Sequence, residues 1–181
     1  MIWEDLNENL IVPDLEAKSS DEVFEKLGGL FIVEGYCKDT YIDALKDREK
    51  DFPTGVNMGS IGIAIPHTDK QHVIKGGVAI GVLKEPVHFF QMGTTDEPVE
   101  VKLVFMLAVE DPKEHLVFLQ RILAVLQDQD VLANIMKTGD KKKIVEIIKE
   151  KESKIKKWNS YGQCWIDGYS GFFTLSSLGE I

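Results

Sequence analysis

Apolar residues recur along this chain in two rhythms. Between residues 99 and 109, Val101, Leu103, Phe105 and Leu107 alternate with Lys102, Val104, Met106 and Ala108. A period of two is that of a strand, and because the second set is mostly apolar too, both faces of this strand are predicted to be covered. Residues 60–66 and 76–84 read as two more buried strands. Residues 87–90 form a short further piece after Pro86, residues 93–98 a polar loop, and Leu10-Ile11-Val12 a strand in the lead-in before Pro13.

Elsewhere the spacing is helical. Val23, Leu27, Leu30 and Phe31 fall on one face. Ser19-Ser20-Asp21-Glu22 opens that helix, with serine as cap and acids at the positive end of the dipole, and Gly35 ends it. Gly28-Gly29 inside it marks either close packing or a local break. A second helix runs from about Asp39, with Tyr41, Ile42 and Leu45 apolar and Arg48 leaning to the same side, until Pro53 stops it. Asp111-Pro112 opens a long helix with a stripe of Leu116, Leu119, Ile122, Leu123 and Leu126. Asp130 starts a short helix. Thr138-Gly139-Asp140 starts a last one that buries Ile144, Ile147 and Ile148 and leaves Lys141, Lys142 and Lys143 in solvent. Helices, then strands, then helices predict a single α/β domain over residues 1–157, a mixed β-sheet flanked by helices on both faces.

Residues 158–181 depart from this pattern. They hold six of the sixteen aromatic residues but only Asp167 and Glu180 as charges, and Asp167-Gly168 could turn a small hairpin. This is either an appended tail or an oligomer contact made by exposed aromatics.

The net charge of −9 argues against a nucleic-acid partner, whose phosphates require basic patches, and mildly favours a basic protein partner. No apolar run approaches the ~18 residues of a membrane span, and the acidic start does not resemble a signal peptide, so a cytoplasmic protein is expected. Two cysteines, Cys37 and Cys164, suggest neither a disulfide framework nor a zinc site.

The candidate chemistry gathers around Ile63-Ala64-Ile65-Pro66-His67-Thr68-Asp69. His67 follows a proline at the end of a strand, on a loop rim where a rigid sheet can hold a reactive side chain. It is either a structural histidine or a nitrogen nucleophile, since neutral imidazole suits that task near pH 7. Arg48 lies nineteen residues earlier, across a Pro53-Thr54-Gly55 turn that could bring the two together. It either eases the negative end of its helix or clamps phosphoryl oxygens. His115, early in the helix opened by Pro112, is delivered to the same rim and is either solvated or a second active-site imidazole. Asp69 is an ordinary turn residue or an orienting partner for His67, and His72 and His88 read as surface residues. A nucleophilic histidine, a second histidine and an arginine together suit reversible phosphoryl transfer. No Walker-type or Gly-x-Gly-x-x-Gly loop is present, so no cofactor is expected. A zinc hydrolase built on His67, His72 and His115 is disfavoured, because the spacing of the first two fits no helical metal motif.

The run Asp47-Arg48-Glu49, Phe52-Pro53-Thr54-Gly55 and Ile63-Ala64-Ile65-Pro66-His67 resembles the fructose/mannitol-type enzyme IIA of the bacterial phosphoenolpyruvate-dependent sugar phosphotransferase system, and Glu114-His115-Leu116 fits as well. The resemblance covers roughly residues 5–150. It implies a mixed sheet flanked by helices. It implies that His67 accepts a phosphoryl group from the phosphocarrier protein HPr and passes it to a cysteine of enzyme IIB, in series with a membrane enzyme IIC. Arg48 and His115 match the family's active-site arginine and second histidine. Phe-Pro-Thr-Gly and Ile-Pro-His-Thr-Asp look most like the galactitol branch. A regulatory protein, in which the phosphorylation state of His67 controls a protein partner, would use the same residues.

Overall fold

A computed structural model describes residues 6–94, 96–110 and 112–154 and the backbone of 156–158 and 164–165; its described side chains are those of 6–94, 96–110 and 119–154. The five-stranded sheet runs β1 (Leu6–Leu15), β4 (Gly77–Phe90), β5 (Pro98–Ala108), β3 (Gly62–Ala64) and β2 (Gly55–Asn57) in spatial order. It is mixed, as expected: β1 is parallel to β4 and β3 to β5, whereas β4–β5 and β2–β3 are antiparallel. Pro13 lies within β1, which is tolerable because β1 is an edge strand.

The two alternating sets of side chains on the central strands enter two separate cores. Ile63, Val78, Ile80, Leu103, Phe105 and Leu107 pack under α3 (Pro112–Leu126), α4 (Gln129–Lys137) and α5 (Lys141–Lys154). Ala64, Ala79, Val104, Met106 and Ala108 face α1 (Ser20–Val33) and α2 (Tyr41–Asp51), where Phe24, Leu27, Phe31, Tyr41 and Leu45 fill the space. Helices therefore cover both faces, which is why both sets of β5 are apolar.

Local chemistry sets the helix ends. The Ser19 hydroxyl accepts the Glu22 N–H at 3.2 Å, and the Asp128 carboxylate accepts from Asp130 and Val131 N–H. The cap places the start of α4 at Gln129, a residue before the expected one. Helix α1 runs unbroken through Gly28-Gly29. Gly28 serves close packing: a Cβ there would stand 2.9 Å from Ile42 Cγ1 on α2. Residues 77–90 form one strand rather than two: it runs on through Pro86, with its register against β5 shifted between Val82 and Val87. Strand β2 was not anticipated; its three residues are too few to show alternation. Leu116 and the Asp167-Gly168 turn lie outside the described side chains and residues. A separate pair, β6 (Lys156–Trp158) and β7 (Cys164–Trp165), is antiparallel.

Candidate active site

Three segments meet at one end of β3 and β5. The first is the last turn of α2, which carries Arg48 and Glu49 and closes with the Phe52 N–H on the Arg48 carbonyl at 2.8 Å. The second is the turn Pro53-Thr54 leading into β2, buried at all of Pro53, Thr54 and Gly55. Gly55 must be glycine, since a Cβ would lie 2.5 Å from the Phe90 carbonyl oxygen. The third is the extension of β3, where the Ile65 N–H donates to the Thr54 carbonyl at 3.0 Å and the Pro66 carbonyl accepts the Leu107 N–H at 2.9 Å. His67 thereby pairs with Leu107 beside β5. The buried Tyr41 hydroxyl donates to the Leu107 carbonyl at 2.6 Å, fixing α2 to the sheet at that level.

The surroundings of the His67 ring determine where its proton sits. Nδ1 lies 2.9 Å from the Ile65 carbonyl oxygen, which can only accept, so Nδ1 carries the hydrogen. Nε2 lies 3.1 Å from Arg48 Nη2, which can only donate, so Nε2 offers its lone pair. The result is a neutral imidazole whose nucleophilic nitrogen faces a permanent cation. The guanidinium carbon also stands 5.1 Å from the centre of the exposed Phe52 ring, a cation–π contact. Arg48 Nε is buried and has no hydrogen-bond acceptor among the described residues.

The sequence suggested a histidine on a loop rim. His67 is instead only 5 % exposed, with its ring bonded to the Ile65 carbonyl and to Arg48. Any electrophile approaching Nε2 would meet the Arg48 guanidinium that occupies its lone pair at 3.1 Å. Arg48 and His67, set nineteen residues apart, are in direct contact.

Asp69 does not hold Nδ1, whose proton goes to Ile65; it is exposed and precedes a single 3₁₀ turn, Lys70–His72. The His72 ring lies 2.8 Å from the Thr40 hydroxyl and 3.1 Å from the Gln71 amide nitrogen. His88 is exposed, with Nδ1 3.2 Å from a Glu100 oxygen. The backbone of His115 lies early in α3, which opens at Pro112 just beyond the end of β5; its side chain lies outside the described ones.

The sequence reading missed Glu49. One of its oxygens accepts the Thr54 N–H at 3.0 Å and the other the Thr54 hydroxyl at 2.7 Å. Burial pushes its carboxyl up to about 7, against the opposing pull of the two Thr54 bonds and the Arg48 charge. The only sequence signal was an acid beside Arg48 and a threonine just past the helix-ending proline. The Ile65 carbonyl was also missed, because a backbone acceptor leaves no mark in the sequence.

The family described as "Phosphoenolpyruvate-dependent sugar phosphotransferase system, EIIA 2" matches residues 4–151. The chain belongs to this enzyme IIA family. Among relatives, the galactitol-specific EIIA component of Escherichia coli strain K12 is 33% identical over 115 residues, 64% of this chain and 76% of that protein. The mannitol-specific enzyme IIA component of Staphylococcus aureus strain Mu50 is 31% identical over 150 residues, 81% of this chain and 96% of that protein. The solution structure of the complex of enzyme IIAMTL and phosphorylated enzyme IIBMTL from Escherichia coli superposes with a TM-score of 0.68 at 25% identity, covering 80% of this chain and 97% of that one. Enzyme IIA components are phosphotransferases that carry phosphate on a histidine. The mixed sheet with helices on both faces is the enzyme IIA fold.

Proposed function

We propose that this enzyme IIA takes a phosphoryl group from phospho-HPr onto Nε2 of His67 and delivers it to a cysteine thiolate of an enzyme IIB, in the uptake of a sugar alcohol. The observation that carries the reading is the paired commitment of the His67 ring, Nδ1 to the Ile65 carbonyl and Nε2 to Arg48. It leaves one nitrogen nucleophilic and puts a phosphoryl-binding cation beside it. In the first step the Nε2 lone pair forms the new N–P bond. The N–P bond of the donor phosphohistidine breaks, and the donor imidazole keeps its electron pair. In the second step the thiolate attacks phosphorus and the His67 N–P bond breaks in turn. Arg48 moves onto the phosphoryl oxygens and holds their charge through both steps, and His115 donates a hydrogen bond to them.

The relatives named for galactitol and mannitol support a hexitol as the transported substrate, with galactitol favoured by the Phe-Pro-Thr-Gly and Ile-Pro-His-Thr-Asp segments. The complex of a similar enzyme IIA with enzyme IIB supports the acceptor. The net charge of −9 suits a basic carrier. Among the described residues no helix is long and apolar enough to cross a membrane.

The test is reconstitution with phosphoenolpyruvate, enzyme I and HPr, followed by intact mass. The wild type should gain one acid-labile phosphoryl group and lose it when enzyme IIB is added, and His67→Ala should gain none. An adduct persisting in His67→Ala would overturn the assignment of the acceptor. An adduct that galactitol and mannitol enzymes IIB both leave in place would overturn the relay reading in favour of a regulatory phosphoprotein.

A further inference from the structure

The bonds around His67 form a closed circuit that begins and ends on adjacent residues of α2. The Glu49 carboxylate grips Thr54 by its N–H and its hydroxyl at 3.0 and 2.7 Å. The Thr54 carbonyl accepts the Ile65 N–H at 3.0 Å. The Ile65 carbonyl accepts the His67 Nδ1 hydrogen at 2.9 Å, and His67 Nε2 accepts from Arg48 at 3.1 Å. Arg48 is the residue before Glu49. The same turn of helix therefore supplies the cation that meets Nε2 and the carboxylate that anchors, through two peptide groups, the carbonyl that orients Nδ1. Thr54 is 2 % exposed, so water does not readily replace either of its bonds to Glu49.

We infer that Glu49 is a positioning residue for phosphoryl transfer: its clamp on Thr54 sets the register between α2 and the β3 extension, and so holds His67 in the Nδ1–H tautomer with Nε2 opposite Arg48. The inference rests on the relay reading for its rate effect, but not for its effect on the ring. Glu49 itself touches neither the ring nor the phosphoryl group. Burying a carboxylate that carries no reaction needs a reason, and its carboxyl is raised to about 7 by that burial. A glutamine could make the same two contacts, with its oxygen accepting the Thr54 N–H and its amide donating to the Thr54 hydroxyl. Alanine could make neither.

The experiment compares Glu49→Ala, Glu49→Gln and Thr54→Val with the wild type in two readouts. The first is the long-range ¹H–¹⁵N spectrum of the His67 ring, which distinguishes Nδ1–H from Nε2–H. The second is the saturated rate of transfer from phospho-HPr, corrected for folded fraction. Glu49→Ala should populate the Nε2–H tautomer and lower the saturated rate about ten- to hundredfold, the scale of a small misplacement of reacting groups, with the KM for phospho-HPr little changed. Glu49→Gln should restore both, and Thr54→Val, which loses one of the two bonds, should fall between. If Glu49→Ala keeps the wild-type ring signature and its folded fraction transfers at the wild-type rate, the clamp only stabilises the fold and the inference is overturned. A Glu49→Gln variant as impaired as Glu49→Ala also overturns it, because charge rather than shape would then matter. Should Glu49→Ala not fold, the same decision rests on Glu49→Gln against Thr54→Val. If the wild type takes no phosphate from phospho-HPr, the relay reading fails by itself, and the ring spectra still decide whether Glu49 positions His67.

Discussion

Replacing Arg48 with alanine gives an effect whose size follows from the resting geometry. In the unphosphorylated protein the guanidinium already makes a bond, Nη2 to His67 Nε2 at 3.1 Å, from a half-buried side chain. A hydrogen bond from a charged donor to a neutral nitrogen contributes ~1.5 kcal/mol in such a place. During transfer the same group would face phosphoryl oxygens, and losing a donor to a developing oxyanion costs ~2.7–4 kcal/mol. The resting bond must be given up to make the new ones, so only the difference lowers the barrier. That difference is ~1–2.5 kcal/mol, or about 5- to 70-fold in rate at ~1.36 kcal/mol per factor of ten. Arg48→Ala should therefore fall by tens of fold, not thousands. Arg48→Lys should recover part of the loss, keeping the charge but not the planar fork. The assay is rapid-quench transfer from labelled phospho-HPr over a range of donor concentrations. A saturated rate within about twofold of wild type would refute the reasoning, as would a loss confined to donor affinity with the saturated rate intact.

Other consequences concern the frame that holds the site. Gly62→Ala should destabilise the fold by ~1–3 kcal/mol in thermal melts, because its Cβ would lie 2.2 Å from the Glu100 carbonyl oxygen, whereas Gly29→Ala, whose Cβ meets nothing, should stabilise by ~0.5–1 kcal/mol; equal melting temperatures would contradict this. Tyr41→Phe removes the fully buried 2.6 Å bond to the Leu107 carbonyl and should cost ~1–2 kcal/mol in urea unfolding; a neutral result would show that bond to be dispensable. Glu49 has a folded pKa of about 7 against an ordinary 4.5, so the folded protein holds this proton more tightly. Its contribution is complete below ~4.5 and lost as pH rises through ~7, a swing of ~3 kcal/mol that makes wild-type stability fall relative to Glu49→Gln between about pH 4.5 and 7. Denaturant midpoints that track each other over that range would count against it.

Much of the frame was legible in the sequence because its signals are local. The helical stripes of Val23, Leu27 and Phe31 and of Leu119, Ile122, Leu123 and Leu126 lie where the spacing put them, and the doubly apolar β5 foretold a sheet covered on both sides. What failed depended on distant neighbours. Pro86 looked like a strand break but lies within one strand whose register against β5 shifts between Val82 and Val87, and Gly55, read as the end of a Pro53-Thr54-Gly55 turn, opens a strand that pairs with β3. At the site, Arg48 and His67 could be named from residue type, spacing and family resemblance. The Glu49–Thr54 clamp and the Ile65 carbonyl could not, because an ordinary helical acid and a backbone oxygen acquire meaning only when the chain folds back on them. The depth of His67 was illegible for the same reason, since burial depends on which distant segments the fold brings together.

If the surroundings of His67 choose Nε2 as the phosphate-bearing atom, the ring nitrogens of the phosphorylated protein must show it. Long-range ¹H–¹⁵N spectra, taken after charging the wild type with phosphoenolpyruvate, enzyme I and HPr, should show phosphorus coupled to Nε2 of His67 and a hydrogen retained on Nδ1. Phosphorus on Nδ1, or a His67 ring unchanged while the protein carries the phosphoryl group, would contradict the account.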